Sequence, residues 1–329
     1  MSAPLLATAV AHSNIALVKY WGKLAQAGNY PAVPSLSLTL DAFSTRTEVR
    51  FDLQLKSDEF LLDGTPVTGR PLERVTHLLS SVRTQARLQL RARVTSTNNF
   101  PTASGLASSA SGFAALAVAA SHAAGLALNA AEQSALARSC SASAARSLFG
   151  GLVTLNVGSD AASPLLGAQD WPLALIVAVT DASPKSMGST EAMNHCSKTS
   201  PCYRAWLDAA PSLFARACEA VLRQDLESLG SCMEESTWLM HSTMITAKPE
   251  VLYLAPATLS VIHELRRRRC TETPAFFTTD AGAHVKVLTL AKHAETVKSW
   301  LSAVAGVTQV VVCRPGPSAH LVDSQVPAS

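Results

Sequence analysis

Small and hydroxyl-bearing side chains dominate residues 98–112, which read NNFPTASGLASSASG. Small side chains let backbone N–H groups approach an anion, and the N-terminus of a following helix adds partial positive charge. The hydroxyls of Ser108 and Ser109 can bind phosphate oxygens or Mg²⁺. The segment has neither the lysine pattern of a Walker A loop nor the glycine spacing of a dinucleotide site. It predicts a phosphate-binding turn, with a small-residue loop that serves only helix packing as the alternative.

Four other segments carry cations, hydroxyls or a carboxylate that would suit the rest of a polyanion. In chain order they contain Lys19, Tyr20, Lys23, Ser141, Ser143, Arg146, Lys185, Ser189 and Asp280. An arginine fork suits a carboxylate or a phosphate, and lysines neutralise phosphates. Together they favour phosphoryl transfer over hydride or acyl chemistry. Each segment taken alone also fits a structural role, such as a solvated strand end, a surface ion pair or a turn.

Short β-rich runs alternate with helical stretches and must position these segments. The predicted strands are residues 45–51, 88–95, 152–157, 173–180, 275–279, 285–290 and 307–313. The predicted helices are residues 70–87, 106–124, 129–140, 259–269 and 291–304. The order predicts an α+β protein in two lobes, divided between residues 182 and 183. The tail, residues 315–329, is expected to be a frayed end.

Composition excludes several classes of protein. The chain has 329 residues, of which 48% are hydrophobic and 16% charged, so it can bury a real core. The net charge of +3 is too small to indicate a nucleic-acid partner. We expect no membrane span and no secretory signal, because the apolar runs are short and no basic region precedes the first one. Seven scattered cysteines predict reduced thiols, a cytoplasmic location and no zinc cluster.

Residues 101–110, PTASGLASSA, resemble the phosphate-binding motif of the GHMP kinase superfamily. Within it, residues 14–23, 98–110, 146–151 and 279–282 are similar, in the same order, to motifs of mevalonate diphosphate decarboxylases. The resemblance implies a ribosomal protein S5 domain 2-like first lobe, a ferredoxin-like second lobe and an active site between them. It also implies a homodimer. One departure follows the acid: the family usually continues with Pro-Asn, where this chain has Ala283 and His284.

The activity implied by the resemblance is ATP- and Mg²⁺-dependent decarboxylation of mevalonate 5-diphosphate to isopentenyl diphosphate, in the mevalonate pathway of isoprenoid biosynthesis. CO₂, ADP and phosphate would be released after the tertiary hydroxyl is phosphorylated. A relative acting on a mevalonate monophosphate, a 3-kinase that stops after phosphorylation, and a non-catalytic nucleotide-binding relative stay open as alternatives. The Ala283-His284 departure is the sequence feature that favours the non-catalytic alternative.

The resemblance also implies roles at matching positions. Asp280 would be the catalytic acid beside the tertiary hydroxyl, Arg146 would hold the substrate carboxylate, and Lys19 would lie beside them. The expected substrate-binding residues are Tyr20, Lys23, Ser141, Ser143, Arg146 and Ser189. The expected ATP-binding residues are Ser96, Asn98, Ser104, Gly105, Leu106, Ala107, Ser108, Ser109 and Lys185. Ser108 would also bind Mg²⁺, and Ser236 and His241 would line the cleft.

Overall fold

Two β-sheets organise the chain. The computed structural model describes residues 5–100, 108–180, 187–269 and 273–322, and all elements below lie in these ranges. The first sheet contains β1 (Leu6–Val18), β2 (Ser35–Asp52), β3 (Glu59–Leu62), β4 (Thr65–Pro66), β5 (Arg91–Asn98), β6 (Leu152–Leu155), β7 (Ser163–Leu166) and β12 (His320–Val322). The second contains β8 (Leu173–Val179), β9 (Ala275–Thr279), β10 (Val285–Leu290) and β11 (Gln309–Cys313).

Helices cover both sheets. They are α1 (Arg70–Ala86), α2 (Ser108–Ala123), α3 (Ala130–Cys140), α4 (Ala142–Arg146), α5 (Ser189–Thr199), α6 (Tyr203–Leu222), α7 (Leu226–Ile245), α8 (Pro256–Arg268) and α9 (Ala294–Ser302). A 3₁₀ turn (Ala291–His293) precedes α9. In the described part of the chain, no helix combines the length and apolar character that a membrane span requires.

The first sheet is built around the long strand β2. Its first half pairs with β6, its second half pairs with β5, and β1 pairs with it along nearly its whole length. Helix α2 packs against β1 and β2 and is buried on almost every side. Its many alanines permit this, because small side chains let a helix axis lie close to its neighbours.

The second sheet is antiparallel, in the order β11-β8-β10-β9, and lies between two helical layers. On one face, Ile176 and Phe277 pack with residues of α8 and α9. On the other, Leu175, Phe276 and Leu288 pack with residues of α6 and α7. With both faces buried, the strands read as continuous apolar runs, which explains why β9 and β10 are recognisable in the sequence.

The tail after β11 returns to the first sheet. Residues 320–322 form β12, which pairs with β1. Before it, Gly316 donates its N–H to the Thr39 carbonyl and accepts the N–H of Gly151, at 2.7 and 3.0 Å. A Cβ on Gly316 would lie 2.5 Å from the carbonyl carbon of Leu40, so only glycine allows this approach. The expectation of a frayed tail was therefore wrong for residues 315–322.

The strands at 275–279 and 285–290 were predicted with their observed bounds, and the helix predicted at 70–87 ends one residue earlier. Strand β1 and the first half of β2 were not predicted. The predicted division between residues 182 and 183 stays a prediction. The second sheet takes its first strand, β8, from before that point, and the first sheet takes β12 from the far end of the chain.

Candidate active site

The Asp280 carboxylate lies between two lysines where the sheets meet. Asp280 follows β9, and its Oδ1 accepts a hydrogen bond from Lys19 Nζ at 2.6 Å. Lys286, on β10, forms a second ion pair, with 2.9 Å from its Nζ to Oδ2. The lysine side chains are 2% and 1% exposed, whereas that of Asp280 is 30% exposed. The carboxylate is therefore held from behind and remains accessible from the cleft.

Lys19 is fixed at both ends by other parts of the chain. It follows β1, and its backbone N–H donates to Ser236 Oγ of α7 at 2.9 Å. Its Nζ also donates to the Ala16 carbonyl at 2.9 Å. Ser236 thus contacts the segment that carries Lys19, and nearby His241 Nε2 lies 2.7 Å from Thr279 Oγ1, beside Asp280. Ser236 and His241 therefore lie beside the Lys19–Asp280 pair, and their role in lining the cleft stays a prediction.

Burial and charge act in opposite directions on this cluster. Burial lowers the pKa of Lys19 to about 8, although Asp280 favours its charged form; Lys286 and Arg146 lower it further. Burial alone would raise the pKa of Asp280, but Lys19 and Lys286 hold it well below its usual range. Burial and the nearby Lys19 lower the pKa of His241 to about 4, which leaves this histidine neutral. At neutral pH, Asp280 is a carboxylate facing cations.

Arg146, the last residue of α4, is a buried guanidinium held by hydroxyls. Its Nη1 donates to Ser35 Oγ at 2.7 Å, and its Nε donates to Ser37 Oγ at 3.0 Å. Asn14 Oδ1 lies 3.4 Å from the same Nε. Among the described residues, no carboxylate forms a salt bridge with Arg146, whose side chain is nearly fully buried. Burial lowers its pKa to about 10, so it stays charged and can accept an incoming anion.

Tyr20 and the serine pair border the same region. The Tyr20 hydroxyl is buried and has no hydrogen-bond partner within the described ranges, which makes it available to a ligand. Burial raises the pKa of Tyr20, so the hydroxyl remains a donor. Ser141 Oγ and Ser143 Oγ lie 3.1 Å apart, within the five residues before Arg146. Ser189 begins α5 and is half-buried.

Lys23 occupies a less buried position than Lys19. Its Nζ donates to Asn29 Oδ1 at 2.7 Å. Burial lowers its pKa, and the guanidinium groups of Arg74 and Arg70 lower it further. The glycine at position 22 makes the intervening turn possible, because its φ is +113° and a Cβ there would lie 2.1 Å from the Tyr203 hydroxyl. This turn connects Tyr20 to Lys23, which lies near Arg70 and Arg74 of α1.

A cavity of about 230 Å³ opens beside the N-terminus of α2. Its walls are mostly apolar, with a few hydroxyl and amide groups from β2, β5 and α2. It is lined by Thr45, Phe60, Leu62, Pro71, Arg74, Val75, Val94, Ser96, Asn98, Ser108, Ser109, Gly112, Phe113 and Leu116. An apolar pocket with a few polar groups beside a helix N-terminus suits a nucleoside whose phosphates face the helix.

The other predicted site residues divide into three sets, in addition to Tyr20, Lys23, Ser141, Ser143 and Ser189 described above. Lys19, Asp280 and Arg146 share one cleft, and Ser96, Asn98, Ser108 and Ser109 line the cavity. The remainder of the predicted ATP-binding set lies outside the described residues, namely Ser104, Gly105, Leu106, Ala107 and Lys185.

Sequence reasoning missed four polar contributors to the cleft. Ser35 and Ser37 alternate along β2, which places both hydroxyls on one face towards Arg146. Asn14 lies in the motif of residues 14–23, for which the sequence predicts no role at this position. Lys286 stands alone in the apolar strand VKVLTL, and a lysine in a strand that reads as buried is the signal that could have found it.

Comparison with known proteins agrees with this geometry. A model described as a diphosphomevalonate decarboxylase-like N-terminal domain matches residues 11–165. A model described as the mevalonate 5-diphosphate decarboxylase C-terminal domain matches residues 175–318. Diphosphomevalonate decarboxylase mvd1 of Aspergillus fumigatus is 32% identical over 326 residues, which covers 91% of this chain and 80% of the relative.

Solved structures agree with the same assignment. A structure described as MDDEF in complex with MVAPP, AMPPCP and magnesium is 39% identical, covers 97% of this chain and 99% of its own, and has a TM-score of 0.90. Mevalonate diphosphate decarboxylase from Staphylococcus aureus is 35% identical over 97% and 98% of the two chains, with a TM-score of 0.91. These structures confirm the two-lobed α+β fold of the GHMP kinase type. The chain belongs to the diphosphomevalonate decarboxylase family.

Proposed function

We propose that this protein catalyses the ATP-dependent decarboxylation of mevalonate 5-diphosphate to isopentenyl diphosphate, CO₂, ADP and phosphate. The observation that carries the proposal is the Asp280 carboxylate, held by buried Lys19 and Lys286 at 2.6 and 2.9 Å beside a buried Arg146. Family membership supports the same reaction, as does the related structure described with MVAPP, AMPPCP and magnesium.

Arg146 is the residue suited to the substrate carboxylate. Ser35 and Ser37 fix two of its nitrogens, so its plane is set before the substrate arrives. A guanidinium without a carboxylate partner among the described residues can form two parallel hydrogen bonds to a bound carboxylate. Tyr20, whose buried hydroxyl has no partner in the described ranges, and the Ser141–Ser143 pair would donate to the diphosphate.

Asp280 is suited to orient the tertiary hydroxyl. With its pKa held low by two lysines, the carboxylate is a weak base and acts mainly as a hydrogen-bond acceptor that aims the hydroxyl oxygen at the γ-phosphate. The new O–P bond forms as the bond from the γ-phosphorus to ADP breaks, and the hydroxyl proton passes to an oxygen of the transferred phosphoryl group, a stronger base than the lysine-paired carboxylate. The C–O bond then breaks, phosphate leaves, and the electron pair of the bond to CO₂ forms the alkene. The fixed negative charge of Asp280 stabilises the positive charge that develops on the carbon.

ATP is the second substrate, and the cavity between β5 and α2 fits its nucleoside. No group of three or more histidine, cysteine or acidic side chains suited to a metal lies among the described residues. This fits Mg²⁺, which commonly takes one or two protein ligands together with phosphate oxygens and water. The Ser108 hydroxyl, at the first position of α2 and on the cavity wall, would be such a ligand. Bound Mg²⁺ would neutralise charge on the ATP phosphates.

We further propose that the protein acts as a cytoplasmic homodimer on a small molecule. The resemblance of its motifs to those of mevalonate diphosphate decarboxylases supports the dimer. The scattered cysteines support the cytoplasmic location, because those in the described ranges are free thiols. Light scattering coupled to gel filtration measures the oligomeric state, and a monomer at micromolar concentration would contradict the dimer.

Asp280→Asn tests the reaction assignment. We expect it to abolish nearly all ADP and CO₂ release from mevalonate 5-diphosphate while ATP still binds, because a neutral amide neither stabilises positive charge nor holds both lysines. The matched control is Asp208→Asn, on the surface of α6, which should leave turnover unchanged.

The same assay separates the alternatives. ADP release without CO₂ would indicate a 3-kinase, and faster turnover of mevalonate 5-phosphate would indicate a monophosphate enzyme. Wild-type rates in Asp280→Asn would contradict the mechanism.

A further inference from the structure

Lys286 is a fully buried lysine that the mechanism above uses only as a neighbour. It lies on β10 between apolar residues, opposite Thr278 of β9 and Val177 of β8. Its side chain is 1% exposed. Burying an ammonium group is costly unless an anion and further acceptors surround it. Here the anion is Asp280 Oδ2 at 2.9 Å, and the His284 carbonyl is a weaker acceptor at 3.4 Å.

The two lysines reach Asp280 from different parts of the fold. Lys286 and Asp280 belong to the β9–β10 hairpin, whose register pairs Val285 with Thr279, so the hairpin itself sets their distance. Lys19 follows β1 of the other sheet, so its bond to Oδ1 joins the two lobes. Of the two lysine contacts, only that of Lys286 is therefore internal to the second sheet.

We propose that Lys286 is a positioning residue for Asp280. It binds Oδ2 from behind, which fixes the carboxylate plane and turns Oδ1 towards Lys19 and the substrate hydroxyl. Because its side chain is 1% exposed, it acts through Asp280 and does not touch the substrate. This inference rests on the proposed function, since it assigns a role within that same reaction.

Four charged or titratable groups lie near the Lys286–Asp280 pair. Lys19 comes from the end of β1, Arg146 from α4, His241 from α7 and His284 from the β9–β10 turn. Lys286 and Lys19 share one counter-ion, and the charge of Lys286 lowers the pKa of Lys19. Removing the charge of Lys286 therefore raises the pKa of Lys19, and the alkaline limb of the pH–rate profile reports that change.

Lys286→Met, a nearly isosteric change that removes the charge, is the test. We expect kcat to fall about 10²-fold, as for a misplaced catalytic group, while KM for mevalonate 5-diphosphate stays within threefold. We also expect the alkaline limb to move to higher pH by about one unit or more. Lys286→Arg keeps the positive charge, so its alkaline limb should stay at the wild-type position even if the larger side chain lowers kcat. Lys298→Met, at an exposed position on α9, is the control for losing a lysine.

The kcat values and pH–rate profiles of these variants either support or overturn the positioning role of Lys286. If the wild type is active and Lys286→Met keeps kcat within threefold of the wild-type value, the inference is overturned. It is also overturned if kcat falls but the alkaline limb of the pH–rate profile does not move, because that result shows a packing role. If Lys286→Met does not fold, the Lys286→Arg variant decides. Movement of the alkaline limb of its pH–rate profile overturns the inference, and an alkaline limb at the wild-type position supports it. A wild type that releases no CO₂ would remove the proposed function, and the role of Lys286 would fall with it.

Discussion

Replacing Arg146 by lysine keeps a cation but removes the geometry that the cleft provides. The guanidinium donates to Ser35 and Ser37 through two nitrogens at 2.7 and 3.0 Å, and one ammonium cannot occupy both positions and also face a substrate carboxylate. Losing one charge-assisted hydrogen bond costs about 1.5–3 kcal/mol. With the displacement of the remaining contact, we expect kcat/KM to fall about 10²-fold or more, equivalent to ~2.7 kcal/mol of transition-state stabilisation.

The loss should grow at alkaline pH. Burial lowers the pKa of Arg146 to about 10, and the same burial would bring the pKa of an ammonium, normally ~10.4, towards neutrality. As pH rises, the lysine of the variant therefore loses its positive charge, whereas the native guanidinium keeps its own. The variant should lose further activity for that reason.

The assay is CO₂ release from mevalonate 5-diphosphate, with thermal unfolding as the check on folding. The control is Arg204→Lys, an 83% exposed arginine that pairs with Asp208 on the surface of α6, and it should behave as wild type. A folded Arg146→Lys variant that loses less than threefold in kcat/KM would remove Arg146 from the site and refute the reasoning.

Three further predictions follow from other parts of the structure. The kcat of the wild type should decline as pH rises through about 8, where Lys19 loses the charge that holds Asp280; a flat profile to pH 9.5 would contradict this. Ser108→Ala should raise the Mg²⁺ and ATP concentrations needed for half-maximal rate by about tenfold, measured by titration, and unchanged values would remove Ser108 from the metal site. Gly230→Ala should destabilise the fold by about 2 kcal/mol or more, because its Cβ would lie 2.0 Å from the Phe276 ring. In contrast, a Cβ at Gly112 meets no atom of the described residues within 4 Å, so Gly112→Ala should stabilise α2 in urea unfolding.

Sequence reasoning succeeded where a short segment carries its own chemistry or its own periodicity. Asp280 follows a strand whose apolar character is local, and helix α2 is readable from its composition alone. Strand β1 was missed because its pairing with β2 shifts register between His12 and Asn14, which interrupts the alternation that marks a strand.

The contacts that complete the cleft join residues far apart in the chain, which local patterns cannot reveal. The bond from Lys19 to Asp280 spans 261 positions, and the bond from Arg146 to Asn14 spans 132. Lys286 was missed for a different reason, because its partner Asp280 lies only six positions away and the local signal, a lysine within an apolar strand, was not used. Short strand β12 depends wholly on the distant β1 for its pairing.

The returning tail gives the molecule a second tether between its lobes. The chain passes from the first sheet to the second between β7 and β8, and passes back between β11 and β12, where Gly316 is bonded to Thr39 and Gly151. The two lobes are also joined by a buried apolar cluster, in which Leu36 and Leu38 of β2 pack with Leu175 of β8 and with residues of α7. Lys19 and Asp280 come from the two lobes that are joined in this way, so the side-chain packing and the two chain crossings together fix the geometry of their contact.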